Sequence, residues 1–128
     1  MGVALYIVAK KKPADFDMHV SGKALARAEK ALSEICERIG VKAPMDFISQ
    51  NPEELAAMLG EEVPGLPPEK WFKAEDGLET VRALLTHLTT SGKSVRSAAA
   101  IVEDLRQCES VLVYLKKAKT QWHFAIDI

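Results

Sequence analysis

Apolar residues follow a short rhythm at both ends of this chain and a longer one between them. At the start, Val3 to Ala9 (VALYIVA) is continuously apolar and rich in strand formers. At the end, Gln121 to Ile128 (QWHFAIDI) alternates: Trp122, Phe124, Ile126 and Ile128 on one face, Gln121, His123, Ala125 and Asp127 on the other. Alternation of this kind predicts a half-buried strand. A strand at each end predicts that the two ends pair in one small sheet, with the helices between them packed on it. Trp122, Phe124 and Ile126 should face those helices, because a one-residue slip would expose all three.

Three internal segments step by three and four. Leu25, Ala28, Leu32, Ile35 and Ile39 form the first stripe, and Leu78, Val81, Leu85 and Leu88 the second. The third and longest holds Ala98, Ile101, Leu105, Cys108, Leu112 and Leu115, with Glu103, Asp104, Arg106 and Glu109 falling between as charges. Each stripe marks a helix with one buried side. Gly40 should end the first, Ser91-Gly92 the second, and Ser94 should cap the last, which is expected to run from about Ser94 to Lys117. A short fourth helix is punctuated by Asn51 as N-cap, Pro52 at the first position and Gly60 at the end. Glu61 to Lys70, with Pro64, Pro67 and Pro68, reads as a loop.

Two stretches read both ways. In Asp15 to Ser21, Phe16, Met18 and Val20 alternate with Asp17, His19 and Ser21, the pattern of a third strand. Met45 to Ser49 fits a short strand or an entry turn. The expected fold is α+β: a small two- or three-stranded sheet of N- and C-terminal strands packed with about four helices, forming one domain over residues 1–128.

Composition narrows function more than it specifies it. The apolar fraction of 48% and charged fraction of 27% are those of an ordinary globular protein. A net charge of −1 argues against a dedicated nucleic-acid binder, whose affinity comes mostly from neutralised phosphates. Lys10, Lys11 and Lys12 are the one basic run, placed where charge discourages strand-edge pairing. Cys36 and Cys108 lie on or beside helical stripes and read as buried free thiols. No apolar run approaches the roughly 18 residues of a membrane span, and the start lacks a signal-peptide pattern. The expected compartment is the cytoplasm, with no membrane partner.

Motifs for metal or cofactor are not found: no zinc-ligand spacing, glycine-rich phosphate loop or nucleophile elbow. The expectation is therefore no cofactor and no metal. His87, among threonines, should lie at the surface. His19 and His123 fall on the polar faces of their expected strands, near Asp17 and Asp127. A histidine–carboxylate pair is raw material for general-base catalysis or for a metal site, and the same pattern also suits a solvated strand face. Trp71 and Phe72 precede the second helix and its acidic first turn. They read as a staple folding back on that turn, or, with Trp71 beside Glu75, as the wall of a ligand pocket next to the long loop.

The start VALYIVA, the Gly22-Lys23-Ala24-Leu25 opening of the first helix, Trp71-Phe72 followed by Gly77-Leu78, and the ending Trp122-His123-Phe124-Ala125-Ile126-Asp127 resemble a family of short uncharacterised bacterial proteins with no assigned function. The resemblance runs nearly end to end. It implies a bacterial, single-domain, stand-alone protein and carries no activity, ligand or site residue.

Two functions follow from this reading. The first is a cytoplasmic protein-interaction module, immunity- or inhibitor-like in one concrete form. The second is a small enzyme or ligand-binding protein using His19, His123, Asp17 and Asp127. The apolar Val3–Ala9 edge also predicts a homodimer paired antiparallel through its middle, in competition with a monomer whose Phe16–Val20 strand covers that edge.

Overall fold

The computed structural model describes residues 3–11, 16–49, 51, 53, 56, 57, 60, 68–91 and 97–127. Strand β1 (Ala4–Ala9) and strand β2 (Trp122–Asp127) pair antiparallel, with Leu5 opposite Ile126 and Ile7 opposite Phe124. Between them lie α1 (Lys23–Arg27), α2 (Glu29–Ile39), a 3-10 turn over Pro44–Phe47, α3 (Ala74–Ser91) and α4 (Ala98–Lys117). The architecture is α+β, with one antiparallel sheet of the two terminal strands and four helices among the described residues.

Among the described residues the sheet has two strands, and the segments along its flanks make isolated contacts with it, not ladders. Residues 16–20 keep the expected alternation of burial but have no regular structure. Ser21 donates its N–H to Gln107 of α4 at 2.8 Å, and the Phe16 ring stacks on Tyr114 of α4 with centroids 4.2 Å apart. These contacts draw the segment towards α4. Its described backbone bond to β1 is Leu5 N–H to the Gly22 carbonyl, 3.1 Å. Asp15, at the start of the expected third strand, lies outside the described residues. On the far edge of β2, Phe72 and Trp122 exchange two backbone bonds, and Ser49 donates to the Phe124 carbonyl at 2.9 Å. Met45 to Ser49 thus completes a 3-10 turn and then bridges β2 at Ile48.

The helices follow the stripes with local departures. The first stripe is divided at Ala28, whose φ of −94° and ψ of 9° interrupt α1 and α2. It ends at Gly40 as its sequence predicts, but Ile39 is 39% exposed. In α3, Leu84 is fully buried and Leu85 only partly. The last helix begins at Ala98, after Ser97 in a left-handed conformation (φ 61°); Ser94 lies outside the described residues. Of the short fourth helix, Glu53, Ala56 and Ala57 are helical, and Asn51 Oδ1 accepts the Glu53 N–H at 2.9 Å.

One buried cluster joins the two strands, α1 to α4 and the 3-10 turn. Trp122 is 0% and Phe124 2% exposed, so the aromatic face of β2 does meet the helices. Trp122 fits because α3 has Gly77 at the contact: a Cβ there would stand 2.2 Å from the indole. The indole N–H donates to the Lys73 carbonyl at 3.0 Å, and Phe47 lies 5.2 Å from its ring. Phe124→Ala is expected to cost about 3–5 kcal/mol, the loss for a large aromatic deleted from a core. Urea unfolding measures it; a midpoint close to wild type would place Phe124 outside the core.

Candidate functional site

The opposite face of the sheet carries Tyr6 and Val8 on β1 with Ala125 and His123 facing them on β2. Sequence alternation predicts a solvated polar face, but His123 is 1% exposed and Ala125 is buried too. The cause lies in the stretch before α3. Through the Phe72–Trp122 bridge it passes antiparallel to β2. It lays the Trp71 ring on the imidazole, centroids 4.7 Å apart, and brings Glu69 Oε2 to 2.5 Å from His123 Nε2.

Both ring nitrogens of His123 have partners. His123 Nδ1 lies 2.9 Å from the Phe124 carbonyl, which can only accept, so Nδ1 carries a hydrogen. That carbonyl also accepts from Ser49, so both its lone pairs are used. On the other side of the ring, Nε2 meets the Glu69 carboxylate in the short contact. The result is a clamp: a buried imidazole fastened on one side to its own strand and on the other to the segment that covers it. Glu69→Ala would leave Nε2 without its partner and is expected to cost about 1–3 kcal/mol. Chemical denaturation tests this; an unchanged midpoint would mean that the contact does not hold the segment down.

The other sequence candidates lie apart from this clamp. His19 donates its backbone N–H to Asp17 Oδ1 at 2.9 Å, an Asx turn in which both side chains are exposed and no bond to the imidazole is made. Asp127 pairs with Ala4 through its backbone, and its side chain lies outside the described residues. Glu75 is exposed in the first turn of α3, and the carboxylate beside the Trp71–His123 pair is Glu69 instead. Trp71 and Phe72 part company: Trp71 covers His123, and Phe72 packs edge-on against Phe47 at 5.1 Å. His87 is half-buried. Among the described residues no three His, Cys, Asp or Glu side chains converge as a metal site.

Asp104, read from sequence as one of the surface charges of the last helix, is 4% exposed. Its Oδ2 accepts the backbone N–H groups of Ala24 at 3.0 Å and Leu25 at 3.3 Å. It therefore caps α1 from a different helix, where Gly22 at the N-cap has no side chain to do so. A groove of about 690 Å³ lies above it, between Lys23, Arg27 and Ala28 on one wall and Ser97 and Ala100 on the other. No buried side-chain nitrogen or oxygen among the described residues lacks a hydrogen bond.

Both thiols are unsuited to nucleophilic work. Burial, with Asp46 nearby, pushes Cys36 up from 9.0 to about 11. Burial, with Asp104 nearby, pushes Cys108 up from 9.0 to about 12. The folded chain keeps these protons at a pH where the unfolded chain releases them. Their contribution to stability is therefore complete below pH 9.0 and lost as pH rises towards about 11 and 12. Alkylation by iodoacetamide at neutral pH should be far slower in the folded than in the urea-unfolded chain. Equal rates in the two states would refute this burial.

No helix among the described residues is long and apolar enough to cross a membrane. Comparison with known proteins adds no relationship: no family model matches the chain, and neither a curated protein nor a solved structure matches it.

Proposed function

We propose that the chain is a protein-interaction module of the bacterial cytoplasm, acting by binding another protein, with an immunity or inhibitor protein as one concrete form. The observation that supports this is the state of His123. The histidine on which an active site would depend is buried, and both its ring nitrogens are engaged, one by a backbone carbonyl. A general base needs a nitrogen within reach of a substrate proton. This imidazole serves the frame: it fastens the segment before α3 to β2. The second reading, an enzyme or ligand-binding protein built on His19 and His123, has no comparable support.

The test is purification of the tagged chain from its own cells under mild conditions, followed by native mass spectrometry and sedimentation. A complex with one other protein in fixed ratio supports the module. A chain that carries a small-molecule adduct and no protein overturns it in favour of the second reading. A species of twice 14.1 kDa would make the partner a second copy of this chain.

A further inference from the structure

The lysines are not spread evenly. Lys10 donates its backbone N–H to the Gln121 carbonyl at 2.9 Å, and Lys11 to the Thr120 hydroxyl at 3.1 Å, so both stand beside the entry to β2. Lys116 and Lys117 close α4 immediately before that entry, and Lys119 folds back to donate to the Lys116 carbonyl at 3.1 Å. Lys73 reaches the same end from the other edge, since its carbonyl accepts the Trp122 indole N–H. Six lysines from three separate stretches thus meet at one end of the sheet, and all six are exposed.

Among the described residues no lysine is in an ion pair; the pairs are Arg82–Glu109 and His123–Glu69. Local roles explain part of the cluster. Lys116 and Lys117 suit the negative end of the α4 dipole, and Lys10 and Lys11 suit a strand end. Neither explains Lys73 or Lys119. Lys119 has a φ of 55°, the left-handed position after a helix that glycine or asparagine fills at lower cost.

Resting on the module reading, we propose that this lysine-rich end docks a short acidic segment of the partner protein. Charge complementarity chooses the occupant. With these six lysines set aside, the remaining eleven basic and eighteen acidic residues leave the rest of the chain at −7. A duplex or a membrane plane would extend beyond the lysines and meet that negative remainder. A short acidic segment is confined to the basic end. No described arginine belongs to the cluster, so it lacks the planar fork that reads phosphate in two-point contacts.

The experiment is fluorescence anisotropy of a labelled oligoglutamate peptide against the full chain at low salt, with a DNA duplex and phosphatidylserine vesicles in parallel. Peptide binding that weakens as salt rises is expected. The triple variant Lys10→Glu, Lys11→Glu, Lys119→Glu should lose affinity about tenfold or more, and the control Lys30→Glu on α2 should not. Lys119→Gly should raise the unfolding midpoint while weakening the peptide, a split that a purely structural residue would not show. Tighter binding to duplex or vesicles, or full affinity in the triple variant, overturns the proposal. If the triple variant still captures the native partner, this docking end falls and the module reading stands; if wild type captures no protein, the module reading itself falls.

Discussion

Gly22→Ala is expected to break the junction between β1 and α1, with a loss of more than about 3 kcal/mol. Gly22 has a φ of 65°, and a Cβ on it would lie 1.8 Å from the Leu5 carbonyl oxygen and 2.9 Å from the Leu5 nitrogen. Those atoms are backbone, so no side chain can swing aside. Leu5 is itself held on its other flank by the β1–β2 pairing and is 1% exposed. The left-handed conformation alone accounts for only about 1–2 kcal/mol of the penalty. Gly40→Ala supplies the control: φ there is 78°, but nothing lies within 4 Å of the added carbon. Urea titrations of the two variants should therefore separate clearly, with Gly40→Ala near the conformational cost alone. Equal midpoints would show that β1 and the α1 entry slide apart without loss.

Leu105→Asp is expected to unfold the chain. Leu105 is 1% exposed on α4, inside the main cluster, with no polar partner waiting for a carboxylate. An unpaired buried charge costs several kcal/mol, comparable with the whole stability of a domain this size. The neighbouring Asp104 makes the contrast instructive. It is almost as buried, and it is tolerated because two N–H groups of α1 point at it. A circular-dichroism melt of Leu105→Asp that overlays wild type would remove Leu105 from the core.

What the sequence made legible is what periodicity encodes. The clean alternation around Trp122 and Phe124 identified β2 and its core face, and the spacing of Ile101, Leu105, Cys108 and Leu112 identified α4. What it concealed depends on pairs distant in sequence. Asp104 belongs to the buried positions 101, 104, 105, 108, 111 and 112, so its place in the stripe was a signal. Its partners, 79 and 80 residues earlier, carried none, being backbone N–H groups that any residue type supplies. Glu69 sits in a proline-rich stretch without periodicity, and its reach to His123 depends on how that stretch crosses β2. The lysines of the proposed docking end were visible one run at a time. Only the closing of β1 against β2 gathers them.

That closing also dictates an order of events during synthesis. Lys11 and Thr120, which bond across the sheet, are 109 positions apart. While the chain is being made, β1 is complete long before β2 exists, so its Leu5 and Ile7 have no sheet to enter. The helices between can nucleate on local contacts, but the sheet must wait for β2 to be made. Pairing so distant in sequence is slow and leaves an apolar strand open to other chains in the interval. Ribosome-bound intermediates of this protein should therefore have helices before they have a sheet, and chaperone contact should concentrate on Val3–Ala9.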